Sequence, residues 1–270
     1  MNIIHDYKLV EKIGIGSYGE VWKAYHIQTK KNVAIKIERK SNKSILKCET
    51  IILRYLKDLN LVPKVKYYGY TNSYNYMIME LLGDTIEQYY NRKKTHDLGE
   101  IKWIGLKMIE CVREVHEYGI IHRDIKPENF LMTVDDTSIK LIDFGLAKQY
   151  LDKFGKHKPQ SDHVQLTGTM RYISTHVHEG IQPSRRDDLI SIVYILLYLI
   201  KGKLPWQGIK SNSKDEKVRS IYDIKKSTSH DELCKNVSHK IKELLEYVYS
   251  LDYAEIPNYD YMNFLLKTLV

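Results

Sequence analysis

The chain is poor in cysteine: Cys48, Cys111 and Cys234 are its three thiols among 270 residues, odd in number and far apart. Neither a disulfide framework nor a local zinc motif can be drawn from them, and a reducing compartment is the default. Proline and glycine are sparse as well, at 6 and 14 residues, which excludes a collagen-like or low-complexity chain. No internal repeat is present. Long apolar runs are also lacking. The longest, residues 189–200, is interrupted by Ser191 and falls short of the roughly 20 residues a membrane helix needs. It reads as a fully buried helix, and no membrane insertion is expected. Residues 1–7 lack the basic and apolar regions of a signal peptide, and no lipidation motif is present, so the expected setting is cytoplasmic, nuclear or both.

What is there is ordinary for a globular chain, with 43% hydrophobic and 28% charged residues. The length suits one large domain or two lobes, with ample material for a core. Lys and Arg exceed Asp and Glu by 42 to 34, a net charge of +8. That balance permits nucleic acid, an acidic membrane surface or anionic substrates, and equally a solvated basic surface with no specific partner. A nucleic-acid module would need a basic stripe interleaved with stacking aromatics. The tyrosines instead fall mostly at strand and helix core positions, so no specific nucleic acid is expected.

The order of the hydrophobic periods carries the organisation. Residues 7–13, 20–27 and 33–37 are short β-type runs broken by Gly14, Gly16, Gly19 and a polar turn at 29–32, which predicts an antiparallel meander. Ile45, Glu49, Ile52, Leu53 and Leu56 then recur at helical spacing, and residues 66–70 and 76–80 return to strand character. From residue 80 onward helix dominates, beginning with a stripe of Ile101, Ile104, Met108, Val112 and Val115 that Gly119 would end. Residues 130–132 and 139–142 flank Asp135-Asp136 as a small hairpin.

Gly14-Ile15-Gly16-Ser17-Tyr18-Gly19 is a GxGxxG element, weak by itself because dinucleotide folds and kinases both use it. Here the residues that follow alternate like a strand and carry Val21, Trp22 and Tyr25, which favours a strand–glycine–strand flap over the helix of a dinucleotide fold. Val33-Ala34-Ile35-Lys36 sets one lysine in an apolar strand, where a buried ammonium needs an anion; a head group that reaches solvent is the alternative. Far more specific is His122-Arg123-Asp124-Ile125-Lys126-Pro127-Glu128-Asn129, followed fourteen residues later by Asp143-Phe144-Gly145. Phosphoryl transfer needs a carboxylate beside the attacking hydroxyl, hard oxygen ligands for magnesium and cations against phosphate oxygens. Asp124, Asn129, Asp143, Lys126 and Lys36 supply those types.

With these motifs the sequence resembles the eukaryotic protein kinases over about residues 7–265. YMIMELLG at 76–83, LTGTMRY at 166–172, SRRDDL at 184–189 and LPWQGIK at 204–210 are similar to casein kinase I. That family lacks Ala-Pro-Glu after its activation segment, as does this chain. Where it has Ser-Ile-Asn, this chain has Ser174-Thr175-His176, which leaves the anchoring of the segment open; His176 is read as structural. The resemblance implies an α+β, bilobal protein kinase fold: one kinase domain over 1–270, with a small antiparallel sheet and one main helix at about 1–80, a hinge at about 80–83 and a larger, mainly helical lobe at about 84–270.

By matching position, the resemblance makes Asp124 the acceptor of the substrate hydroxyl proton and Asn129 and Asp143 the magnesium ligands. Lys126 steadies the transferred group, and Lys36, paired with Glu49, contacts the phosphates of ATP. Gly14, Gly16, Ser17 and Gly19 cover those phosphates, while Ile13, Val21, Ala34, Met79, Glu80, Leu81, Leu82 and Leu131 complete the nucleotide site. Asp188 is expected as a buried helix acid that fixes the catalytic loop. Arg171, Gly208 and Lys217 match an anion site for acidic or phosphorylated residues upstream of the target serine or threonine. The expected protein is a monomeric serine/threonine kinase that uses ATP and Mg2+; a scaffold that binds ATP without turnover is the alternative.

Overall fold

The computed structural model describes residues 3–16, 19–93 and 97–269, and the chain divides into two compact units. The first comprises Met1–Asp84 with Leu131–Leu146, and the second Thr85–Phe130 with Ala147–Val270. The change of character expected at 80–83 is therefore close to one boundary, and the chain returns to the first unit for a further stretch.

In the first unit the strands are β1 (Ile3–Ile4), β2 (Tyr7–Gly16), β3 (Gly19–His26), β4 (Asn32–Arg39), β5 (Val65–Tyr70) and β6 (Tyr74–Met79), with helix α1 (Ile45–Tyr55) between β4 and β5. They form one antiparallel sheet in the order β1-β2-β3-β4-β6-β5, so the predicted meander is its centre. Side chains alternate along a strand, and β4 separates two roles by that alternation. Val33 and Ile35 join Ile4, Ala24, Tyr76 and Ile78 in an apolar cluster. Ala34, Lys36 and Glu38 share the opposite face, where Lys36 and Glu38 bond to α1. Ser44 caps α1 by accepting the N–H of Lys47, and Leu46, Glu49, Thr50 and Leu53 are its buried stripe.

The second unit is mainly helical: α2 (Ile86–Arg92), α3 (Leu98–Glu117), α4 (Thr175–His178), α5 (Arg185–Lys201), α6 (Lys214–Ser227), α7 (His230–Leu233), α8 (His239–Ser250) and α9 (Tyr259–Lys267). Helix α3 starts at Asp97, whose side chain accepts the Glu100 N–H, and gives way at Tyr118 to Gly119, at φ 76°. Such a left-handed residue after a helix favours glycine. Helix α5 is buried almost throughout, as the apolar run predicts, and α3 packs on α5 and α9. Gly105 permits that approach, since a Cβ there would lie 2.9 Å from Leu266 and 3.2 Å from Leu196. Strand β7 (Ile120–Ile121) pairs antiparallel with a two-residue strand at Lys148–Gln149, and the predicted hairpin forms from Phe130–Met132 and Ile139–Leu141. Tyr55, Tyr67 and Tyr70 are exposed, so the expectation of core tyrosines does not extend to them. Among the described residues no helix is long and apolar enough to cross a membrane.

Candidate active site

The first unit carries the glycine flap and the buried lysine. Strands β2 and β3 meet at the pair Gly16–Gly19, the flap the sequence predicts; Ser17 lies outside the described residues. Gly19 has φ 145°, and a Cβ there would fall 2.0 Å from the Ile37 carbonyl oxygen, so the close approach of β3 to β4 requires glycine. Val21 pairs with Lys36, and Ala34 with Met79. Ile13, Gly14, Val21, Ala34, Met79, Glu80, Leu81, Leu82 and Leu131 all belong to this unit. Glu80 binds Lys140 through both oxygens, at 2.9 and 2.7 Å, and the Gly83 N–H donates to the Met132 carbonyl at 2.8 Å.

Lys36 does not reach for solvent. Its Nζ donates to Glu49 Oε2 and to Asp143 Oδ1, each at 2.8 Å. Burial opposes its charge, but the two carboxylates outweigh that, and its pKa is pushed up to about 12. Glu49 moves the other way for a carboxyl: burial, with the like charge of Asp143, raises it to about 6 against the pull of Lys36. The two directions agree once the partners are counted, because Lys36 faces two carboxylates and Glu49 faces one ammonium and one carboxylate. Asp143 itself is held at φ 63°, and the short 3-10 turn Phe144–Leu146 that follows packs against α1 with Phe144 fully buried.

The second unit carries the segment 122–129, which follows β7. Arg123 adopts φ 68°, a left-handed conformation uncommon outside glycine and needing support. Asp188, on α5, supplies it: Oδ2 accepts the His122 N–H at 2.7 Å and Oδ1 the Arg123 N–H at 2.9 Å. Asp124 is buried and held on both oxygens. Lys126 Nζ donates to Oδ2 at 2.7 Å, the Asn129 amide donates to the Asp124 carbonyl at 2.8 Å and to Oδ2 at 3.3 Å, and the Thr169 hydroxyl donates to Oδ1 at 2.7 Å.

Oxygen donors suit magnesium, which takes hard ligands and few protein groups. Asn129 commits its amide N–H groups to Asp124, which leaves the carboxamide oxygen for a cation. Asp143 offers a carboxylate. Among the described residues no group of three or more His, Cys, Asp or Glu forms a metal cluster. These two residues fall in different units.

The expected anion site is less assembled. Arg171 stacks over Tyr172 and Tyr198, 5.6 and 5.7 Å from the ring centroids. Gly208 is exposed, with φ 77°, and Lys217 is exposed on the first turn of α6. No hydrogen bond among the described residues joins Arg171 to either. The anchoring left open at Ser174-Thr175-His176 runs through Ser174, whose hydroxyl donates to Asp187 Oδ1 at 2.5 Å; His176 Nδ1 stands 3.4 Å from the same oxygen. His176 is thus a structural neighbour of that bond.

The family model for the protein kinase domain matches residues 7–259. The chain belongs to the protein kinase family. The kinase places Lys36, Glu49 and Asp143 in one cluster and Asp124, Lys126 and Asn129 in another. Sequence reasoning missed Glu38, which accepts the N–H groups of Ile45 and Leu46 at the start of α1, and His116, 3.0 Å from Asp188. It also missed the Thr169 bond to Asp124 and the buried Lys225. Lys225 alone left a signal: Val218, Ile221 and Lys225 share one stripe of α6.

Proposed function

We propose that this kinase transfers the γ-phosphate of ATP to serine or threonine hydroxyls of acidic or pre-phosphorylated proteins, in the manner of casein kinase I. The observation that carries the reading is the clamped Asp124 carboxylate, held on one oxygen by Lys126 and Asn129 and on the other by Thr169. As the substrate oxygen bonds to the γ-phosphorus and ADP leaves, the hydroxyl proton passes to Asp124, and the clamp spares the carboxylate a search through rotamers. Lys126 sets a positive charge beside the transferred group, and Lys36, kept charged by its two carboxylates, faces the nucleotide phosphates. Asn129 and Asp143 would hold magnesium, whose chemistry there is neutralisation of phosphate charge. The presence of Lys36, Asp124, Asn129 and Asp143 speaks for turnover over a scaffold role.

The test is transfer of labelled phosphate from ATP·Mg2+ to serine, threonine and tyrosine peptides with acidic flanks. Asp124→Asn should lower kcat by about 100-fold to 10,000-fold, the range for a positioned acid–base group, and Asp143→Asn should abolish transfer. A preference for tyrosine, or wild-type rates equal to those of both variants, would defeat the reading.

A further inference from the structure

Residues 169–173 form a turn in which every carbonyl is claimed. The Thr169 carbonyl accepts the N–H groups of Tyr172 and Ile173, at 2.8 and 3.1 Å. The next four accept side-chain donors: Met170 and Ile173 from Lys225 Nζ, at 2.9 and 2.5 Å, Arg171 from Trp206 Nε1 at 2.8 Å and Tyr172 from the Ser191 hydroxyl at 2.8 Å. The donors come from α5, α6 and the stretch between them. One residue earlier, Gly168 at φ 96° lies so close to the catalytic loop that a Cβ would sit 2.6 Å from the Arg123 carbonyl oxygen.

Lys225 is the unusual member. The residue is 5% exposed, and among the described residues no carboxylate is seen within ion-pair distance of it. Two carbonyl oxygens and the faces of Tyr194 and Trp206, each centroid 5.1 Å from Nζ, surround it, with the buried His178 close by. A buried amino group without a carboxylate is costly, so a position that keeps one invites a reason beyond stability; a methionine of similar volume would fill the space.

We propose that Lys225 is a positioning residue for phosphoryl transfer: by tying the carbonyls of Met170 and Ile173 it fixes the turn whose first residue, Thr169, holds Asp124 through its hydroxyl. The inference rests on the reading of Asp124 as the proton acceptor. Lys225 acts through the turn and Thr169, and its amino group donates to the two carbonyls in either protonation state.

The experiment compares wild type, Lys225→Met, Thr169→Val and the double variant on an acidic serine peptide, with amide hydrogen exchange at Tyr172 and Ile173. Lys225→Met should lower kcat by about 10- to 100-fold, the scale of a small misplacement at a reacting centre, leave the ATP KM within about twofold and speed exchange at both amides. In the Thr169→Val background the further loss of kcat should shrink to under about twofold, as coupled residues require. Equal fold losses in both backgrounds, or unchanged exchange at the two amides, would overturn the proposal. Should Lys225→Met not fold, Trp206→Phe removes one donor of the same turn and is expected to give the same pattern in weaker form; its absence would count equally against the proposal. A wild-type chain that binds nucleotide yet transfers no phosphate would defeat the proposed function, while exchange at Tyr172 and Ile173 still decides whether Lys225 fixes the turn.

Discussion

The Asp188 carboxylate lies against the backbone of His122, whose N–H donates to Oδ2 over 2.7 Å. A second N–H, from Arg123, meets Oδ1, and His116 Nε2 stands 3.0 Å from Oδ2. Burial opposes the charge on Asp188, but the His116 bond and the backbone donors outweigh it and hold the carboxyl below its usual range. His116 is itself fixed by Tyr259, whose hydroxyl is 2.7 Å from Nδ1. A carboxylate on α5, an imidazole on α3 and a phenol on α9 thus converge on the strained step before Asp124.

Asp188→Ala should therefore cost about 3–5 kcal/mol, the range for removing one partner of a buried charged network, and should abolish transfer. Urea unfolding with an unchanged m-value checks the first part. A loss below about 1 kcal/mol would show that the loop backbone finds other acceptors.

Glu38 bears on a different step. Its carboxylate accepts the Ser44 hydroxyl and the Asn75 amide, at 2.5 and 3.1 Å, besides the two N–H groups at the start of α1. Because α1 carries Glu49, the cap and the ion pair with Lys36 share one helix. Glu38→Ala should cost about 1–2 kcal/mol, the upper part of the range for a lost N-cap, and raise the ATP KM severalfold, with Glu38→Gln milder. An unchanged ATP KM alongside lower stability would confine Glu38 to a folding role.

His178 gives the fold a pH dependence. Burial, and then the nearby Lys225, push its pKa down from 6.5 to about 4; Tyr222 faces its ring from α6. A histidine depressed in the folded state contributes stability that is complete above the unfolded pKa and is lost as pH falls toward the folded one. The loss therefore falls between pH 6.5 and about 4, a window in which His116, also depressed by burial, acts in the same direction. The urea midpoint should drop from pH 7 to pH 5, and less steeply in His178→Phe. Parallel curves for the two proteins would remove His178 from the account.

Activity should need no phosphate on the activation segment. The turn at 169–173 has all its carbonyls satisfied by protein donors, and the Thr169 hydroxyl is already engaged by Asp124. A phosphatase-treated preparation, checked by intact mass, should keep its turnover; loss of most activity would show that an added charge completes the segment.

The motif residues were legible because phosphoryl transfer demands fixed residue types at fixed offsets, as in the run from His122 to Asn129. Glu49 was legible from the stripe of α1, and the meander from its glycines and alternation. Glu38, Thr169 and Lys225 were not. Each meets partners set by tertiary contact, and Glu38 and Lys225 bond to backbone groups that side-chain spacing does not name. Lys225 falls on the apolar stripe of α6 with Val218 and Ile221, but in a helix with several other lysines that stripe alone does not say which groups it meets.

Substrate choice is the last expectation, and it turns on Arg171 and Lys217. Arg171 is already braced by Tyr172 and Tyr198, so its guanidinium is pre-ordered for an anion, whereas Lys217 is exposed and carries its charge on a flexible stem. A planar fork and a point charge together suit a phosphate better than a single carboxylate. A phosphoSer-x-x-Ser peptide should then have a higher kcat/KM than its unphosphorylated twin. The gain should shrink at high salt, because the exposed cation is screened. Lys217→Ala should reduce the preference and spare the unprimed peptide. Combined with Arg171→Ala it should bring the ratio of the two peptides near one. Since Arg171 also packs on the rings beside the 169–173 turn, the double variant should lose some unprimed activity as well, and the ratio, not the rate, is the measure. Equal kcat/KM for the two peptides with wild-type kinase would refute the anion site.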